Sequence, residues 1–185
     1  MREKSGRTRI FKLTATGMLI AVGILIPMYS PVKIVIEPAS YTLASHVAIF
    51  IAMFISPGVA AGVTLGTALG FFLGGYPTSI VFRALSHIVW SFPGALYLAK
   101  IDKFNISWYR LRIFSFIVAL VHGIGEMCAV SLFYYATTFP PNFDILWFLS
   151  FVGLGTVIHS MVDLEIANVV WLVLQKQKSF RELAR

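Results

Sequence analysis

Long apolar runs recur along the whole of this chain and constrain its fold more than any other feature. Most of the runs cover about 17–25 residues, the length that a helix needs to cross the ~30 Å hydrocarbon core of a membrane. Charged residues make up only 12% of the 185 residues, against about 25% in an average soluble domain. Too little polar sequence remains for a soluble domain beside the runs. The sequence therefore predicts an all-α integral membrane protein with one domain, residues 1–185.

The positions of the runs predict a compact bundle of six transmembrane helices. The helices are expected near 10–29, 41–55, 58–74, 78–99, 113–136 and 145–174. The last run is longer than one crossing requires. It is either one tilted helix or an interfacial helix over 145–153 followed by a crossing that begins near Gly155, and we favour the second interpretation.

The placement of the basic residues predicts the orientation of the bundle. Five of the 15 lysines and arginines fall at the start of the first run, four lie between the fourth and fifth runs, and four follow the sixth. All 13 lie on one side, which the positive-inside rule makes cytoplasmic, so both termini are expected inside the cell. The net charge of +7 therefore reflects membrane topology, and we expect no nucleic-acid partner. Only Lys33 and Arg83 depart from the pattern.

Two segments carry additional patterns. In the first outer loop, residues 32–41, valines and isoleucines alternate with polar positions that include Lys33 and Glu37, which predicts an extended, ordered segment. Along the third run, glycines recur at every fourth residue and form one helix face. Such a face lets a neighbouring backbone approach closely. The glycines are Gly58, Gly62, Gly66, Gly70 and Gly74.

Polar side chains inside the apolar runs mark the candidate site, because charged groups are costly in a membrane. Several have a plain structural interpretation. Arg83 can pair with Glu126 or reach the outer interface. The pairs His122–Glu126 and His159–Asp163, each four residues apart, can be hydrogen bonds that support helix packing. The candidates by run are His46 in the second, Arg83, His87 and Trp90 in the fourth, His122, Glu126 and Tyr134 in the fifth, and His159 and Asp163 in the sixth.

The convergence of these groups from several runs favours a binding cavity, which would satisfy them all at once. A buried arginine beside histidines and aromatic rings suits a small, flat anion. The guanidinium can hold a carboxylate with two hydrogen bonds, and Trp90 or Tyr134 can stack on a ring. Arg83 disfavours a cation site, so we expect no metal and no cofactor. The sequence contains no G-x-x-x-x-G-K-[ST] phosphate loop, no H-E-x-x-H helix and no G-x-S-x-G elbow, which favours a binding protein over an enzyme.

The chain resembles the S components of energy-coupling factor (ECF) vitamin transporters. The small-x-x-x-small motif typical of their first helix is matched by Gly17-Met-Leu-Ile-Ala21, which departs from A-x-x-x-A at one position. The resemblance is strongest to the niacin-specific branch, in EPASYTLASHVAIFIAMFISP, GFFLGGYPTSIVFRALSH and HSMVDLEIANVVW. It extends over most of the chain, from the first run to the sixth.

This resemblance implies a substrate-binding subunit in a prokaryotic plasma membrane. Its partners would be nicotinic acid or a related small vitamin, a transmembrane coupling subunit and two ATPase subunits. It implies an outward pocket between the first outer loop, with Glu37, and the fourth to sixth helices. Small residues, which we take to be Gly17, Ala21, Gly62 and Gly66, would contact the partner.

Two other classes of function stay open at this stage. An intramembrane hydrolase would gather His87, His122 and His159 around a metal. A stand-alone proton-coupled carrier would titrate His122–Glu126 or His159–Asp163 and would need no ATPase. Many such carriers have two similar halves, and the sequence shows no internal repeat.

Overall fold

The computed structural model describes residues 2–36, 39–137 and 143–184, and this part of the chain is mainly helical. Glu37, a predicted site residue, lies outside the described residues. The helices, in chain order, are α1 (Arg2–Tyr29), α2 (Val47–Ile55), α3 (Pro57–Leu73), α4 (Thr78–Ser86), α5 (Ile88–Ala99), α6 (Trp108–Ala136), α7 (Ile145–Phe148), a π-helical segment (Leu149–Leu154), α8 (Gly155–Leu174) and α9 (Lys178–Ala184).

Three helical stretches in the described part of the chain are long and apolar enough to cross a membrane: Gly6–Tyr29, Trp108–Ala136 and Ile145–Leu174. The apolar α3 is somewhat shorter, with 17 residues. These lengths agree with an all-α membrane protein, and the number of six crossings stays a prediction. The last stretch is continuous through its π-helical segment, so the separate interfacial helix predicted over 145–153 is wrong.

The second predicted helix differs most from its prediction. Only Val47–Ile55 is helical, and at 1.5 Å per residue this helix is about 14 Å long, roughly half the ~30 Å thickness of the hydrocarbon core. All nine of its residues are buried, and it packs against α1, α3, α5 and α8. Phe54 stacks on Trp171 with ring centroids 5.0 Å apart. Because α2 is enclosed by other helices, it forms the centre of the bundle.

The predicted glycine face of α3 contacts α1. Side chains of Thr16, Ile20 and Ile24, each four residues after the last, lie against Gly62, Gly66 and Gly70 respectively. A Cβ atom added to Gly62 would lie 2.9 Å from the Thr16 methyl group, so only glycine allows the two helices to approach this closely. Gly62 and Gly66 therefore contact α1 within the chain, and the prediction that they also contact a partner stays a prediction.

The predicted extended loop is a β-hairpin. Strands β1 (Lys33–Ile36) and β2 (Ala39–Thr42) pair antiparallel, with Lys33 opposite Thr42. The prediction of an ordered extended segment is confirmed. The Tyr41 hydroxyl donates a hydrogen bond to the Phe151 carbonyl oxygen in the π-helical segment. The hairpin is thereby joined to the last long helix.

Candidate ligand-binding site

The predicted fourth span is divided at His87, which lies between α4 and α5. Its backbone keeps near-helical dihedral angles, φ −59° and ψ −20°. Its N–H donates to the Ala84 carbonyl three residues back, at 3.4 Å, as in a tightened 3₁₀ turn. We find no sequence feature that explains the division. Its consequence is that the His87 side chain lies buried at the centre of the bundle.

All four histidines of the chain meet in one cluster. His46 immediately precedes α2, His122 lies on α6 and His159 on α8. The ring centroids of His46, His87 and His122 are 4.7–4.8 Å apart in each pair. The His159 ring lies 5.0 Å from that of His46. The prediction that the polar pairs of several helices converge is confirmed for these residues.

The Glu126 carboxylate bonds side chains from the α4–α5 region. Arg83 Nε donates to its Oε2 atom, and His87 Nε2 lies 3.0 Å from its Oε1 atom. His122 Nε2 is farther from Oε1, at 3.5 Å. Arg83 is 8% exposed and Glu126 is 2% exposed. The arginine–glutamate pair considered from sequence is therefore present, and it neutralises both buried charges.

Asp163 fixes the segment that leads into α2. Its carboxylate accepts from the backbone N–H groups of Ala44 and His46, at 2.8 and 2.9 Å, and from His46 Nδ1 at 3.1 Å. Ala44 has a positive φ of 68°, unusual for a residue with a Cβ, and the bond to Asp163 holds its N–H there. Since a carboxylate only accepts, the contact assigns the proton to His46 Nδ1. His159 Nε2 lies 3.4 Å from the same carboxylate.

A cavity of about 80 Å³ adjoins the cluster. The cavity is lined on one side by residues of the hairpin and on the other by charged and polar groups of the bundle. The residues are Lys33 and Thr42 from the hairpin, and Arg83, His87 and Glu126 from the bundle. Larger hollows of about 440 and 1070 Å³ lie beside α5 and between α4 and α6. Their linings are almost wholly apolar, as expected of a lipid-facing surface. We place the site at the smaller cavity because the buried charged and hydrogen-bonding groups surround it.

The other predicted residues divide between the site and its surroundings. Trp90 is buried, and its ring lies 4.8 Å from that of His122. Tyr134 instead packs against the apolar cluster that contains Val130 and Phe148, so it does not belong to the lining of the cavity. Neither Tyr134 nor Trp90 is among the described residues that line the cavity, so the stacking role of either ring stays a prediction.

Some residues of the site were not predicted from the sequence. The Ser45 hydroxyl lies 3.1 Å from His159 Nε2, and Thr67 and Tyr76 line the cavity. Tyr41 places its ring 5.4 Å from that of His159. Burial raises the pKa of Tyr41 above its usual value, which keeps the hydroxyl protonated as a donor. Single hydroxyl groups in loops carry no periodic signal, so only the position of Ser45 beside His46 pointed to it.

A known transporter has a similar sequence. Over 173 residues the chain is 40% identical to the niacin transporter NiaX of Lactococcus lactis subsp. cremoris (strain MG1363), which covers 92% of this chain and 77% of that protein. The chain belongs to the niacin transporter family. No protein-family model and no solved structure matches it.

Membership of the niacin transporter family confirms the resemblance found in the sequence and makes the protein a transporter, not an enzyme. The hydrolase alternative is thereby set aside. The histidines and carboxylates of the cluster therefore belong to a transporter. Their burial at the centre of the bundle agrees with a binding site inside the membrane.

Proposed function

We propose that this chain is the substrate-binding subunit of an ECF-type importer and captures nicotinic acid from outside the cell. The observation that carries the proposal is the buried Arg83 at a small cavity that His46 and His87 also line. A relative that is named a niacin transporter supports the choice of ligand. The subunit crosses the plasma membrane six times with both termini in the cytoplasm, which agrees with the separation of its basic residues.

The chemistry of nicotinic acid matches the groups at the cavity. Its carboxylate is planar and negatively charged, as a guanidinium requires for two parallel hydrogen bonds. The pyridine ring is flat enough to lie beside the imidazole rings of His46 and His87, which line the cavity. The cavity of about 80 Å³ is small compared with sites of roughly 300–1,000 Å³ for drug-sized ligands, which favours a ligand of a single ring.

Titration of the purified protein with nicotinic acid and nicotinamide tests the proposed ligand. We expect the acid to bind at least about 10-fold more tightly, because only the acid makes a charge-assisted hydrogen bond with Arg83. Isothermal calorimetry measures both affinities, and Trp90 offers a fluorescence signal beside the site. Equal affinity for the acid and the amide would contradict the proposed role of the carboxylate.

The β-hairpin is proposed to cover the cavity from the outside. Lys33 and Ser40 on its two strands belong to the lining. Ile34 and Val35 are each about 60% exposed on the hairpin. A segment this apolar, tied to the bundle through Tyr41, is suited to close over a bound ligand.

Ligand binding is expected to protect the hairpin from chemical labelling. In a Cys128→Ser background, which removes the only native cysteine, a Ser40→Cys variant should react with a maleimide at least several-fold more slowly at saturating nicotinic acid. A Ser179→Cys variant in the exposed α9 is the matched control and should react equally with and without ligand. Unchanged labelling of Ser40→Cys at saturation would mean that the hairpin does not cover the site.

The face of α1 that points away from the rest of the bundle is proposed to contact the coupling subunit. Gly17 and Ala21 are exposed, and Gly17 has no atom within 4 Å of an added Cβ in the described part of the chain. Of the four small residues predicted to contact the partner, Gly17 and Ala21 are exposed, whereas Gly62 and Gly66 contact side chains of α1. The sequence has no nucleotide-binding loop, so energy for import would come from the partner subunits.

A Gly17→Trp, Ala21→Trp double variant should lose co-purification with the coupling module and lose concentrative uptake. Its affinity for nicotinic acid should stay within about 2-fold of the native value, since neither Gly17 nor Ala21 lines the cavity. Leu132→Trp on α6, at a position that is 68% exposed, is the matched control and should assemble normally. Concentrative uptake by the native chain alone in proteoliposomes would contradict the proposed partner.

A further inference from the structure

His122 is a buried histidine whose hydrogen bonds are unmet. It is 0% exposed, and neither ring nitrogen has a hydrogen-bond partner in the described part of the chain. The nearest acceptor, Glu126 Oε1, lies 3.5 Å from Nε2, which is too long for a good hydrogen bond. Buried polar groups are rarely left without a partner. A bound ligand that contacts a ring nitrogen of His122 would therefore explain the position of this residue.

The two histidines that face His122 are oriented by carboxylates. Asp163 holds His46 at Nδ1, which leaves Nε2 of His46 with a lone pair. Glu126 holds His87 at Nε2, which leaves Nδ1 of His87 with a lone pair. A carboxylate behind one imidazole nitrogen is the usual support for a metal at the other nitrogen.

We propose that His46, His87 and His122 bind a divalent transition metal ion whose fourth position takes the pyridine nitrogen of the vitamin. Each of the three residues offers one ligand atom, and these atoms lie within 4.8 Å of one another. Nitrogen ligands around tetrahedral zinc are about 3.4 Å apart, so each ring has to move by about 1 Å or less. Three imidazoles with one open position suit Zn²⁺, Co²⁺ or Ni²⁺ better than Mg²⁺ or Ca²⁺, which prefer oxygen.

Arg83 does not oppose this ion, although the sequence suggested that it would. Glu126 contacts the guanidinium directly and neutralises it. Among the described residues, the buried charged groups around the cluster are Arg83, Glu126 and Asp163, and together they carry one net negative charge. A divalent ion together with one organic carboxylate brings the site to neutrality, which is the favourable state for charges in a membrane interior.

A second possible set, His46, His159 and Asp163, is less suitable. Its ligand atoms are also within 4.8 Å of one another. However, Asp163 already accepts three hydrogen bonds from Ala44 and His46, and His159 Nε2 is already 3.1 Å from the Ser45 hydroxyl. A metal there would have to replace bonds that fix the start of α2.

Cobalt titration of the chelator-stripped, untagged protein tests the metal site without the vitamin. We expect one Co²⁺ per chain, with the intense visible bands of four-coordinate cobalt, and their loss when Zn²⁺ is added. His122→Phe should abolish these bands, while His159→Phe should keep them. His122→Cys should restore cobalt binding and add a thiolate-to-cobalt charge-transfer band, which shows that the position is a ligand and not only a packing site.

Absence of stoichiometric cobalt binding to the native protein would overturn the site. So would loss of the bands in His159→Phe with their retention in His122→Phe, which would assign the metal to the second set. Failure of His122→Cys to bind cobalt, with an unchanged melting temperature, would overturn the role of His122.

The fourth position rests on the proposed function and has its own test. Nicotinic acid should change the cobalt bands, while benzoic acid, which has the carboxylate and lacks the ring nitrogen, should not. Unchanged bands at saturating nicotinic acid, or equal affinity of stripped and metal-loaded protein for it, would overturn the coordination and leave the proposed function in place. Stoichiometric cobalt binding without any binding of nicotinic acid would overturn the proposed function and leave the metal site in place.

Discussion

Replacing Arg83 by alanine is expected to weaken the binding of nicotinic acid by about 10-fold to 100-fold. The substitution removes a charge-assisted hydrogen bond worth roughly 1.5–3 kcal/mol, and each 1.4 kcal/mol corresponds to a tenfold change in affinity. Arg83→Lys should recover little, because an ammonium group cannot present the planar fork of a guanidinium. Calorimetric titration of the three proteins with nicotinic acid measures the effect.

Nicotinamide is the matched ligand control for this prediction. Its affinity should change little in Arg83→Ala, since it carries no anion for Arg83 to bind. Arg83 would have a structural role if the Arg83→Ala variant bound nicotinic acid normally and a Glu126→Gln variant unfolded. In that case the buried ion pair would serve the packing of α4 against α6.

Replacing Glu126 by leucine is expected to destabilise the protein by about 3–5 kcal/mol. The substitution leaves the Arg83 guanidinium buried at 8% exposure without its carboxylate, and it also removes the acceptor of His87. Breaking one side of a buried ion pair has this large cost because the remaining charge stays desolvated and loses the opposite charge that offset its desolvation. Thermal or denaturant unfolding in detergent measures the difference.

The double variant Arg83→Leu, Glu126→Leu separates the charge effect from the loss of volume. Apolar replacements of a whole buried pair are often neutral, so the double variant should recover most of the lost stability. If the double variant is as unstable as Glu126→Leu alone, the uncompensated arginine is not the cause. The contact between Glu126 and His87 would then account for the loss.

The hairpin and the α1–α3 contact show how much of the fold could be predicted. The alternation of residues 32–41 predicted an extended segment, and the structure pairs Lys33–Ile36 with Ala39–Thr42. The glycine period of α3 predicted a close helix contact. The identity of the neighbour was not predicted, because a small-residue face accepts any helix that fits, and here α1 fills it.

The sequence predicted which residues gather at the candidate site better than it predicted which of them contact each other. Local spacing suggested the pairs His122–Glu126 and His159–Asp163, since residues four apart share a helix face. In the structure the closest partners come from other elements: Glu126 bonds Arg83 and His87, and Asp163 bonds His46. Contacts between helices depend on how the helices cross, which spacing within one helix does not record.

The sequence by itself determined that this is a helical membrane protein, because runs of apolar residues too long for a soluble helix leave few alternatives. It also determined which buried polar groups needed partners, since their cost in a membrane does not depend on the details of the fold. Only the tertiary structure decided that α2 is enclosed by other helices, that the fourth predicted span divides at His87, and that Tyr134 packs against the cluster of Val130 and Phe148. The physical reason is that lipid and protein interior are both apolar, so hydrophobicity does not distinguish a residue that faces lipid from one that faces another helix.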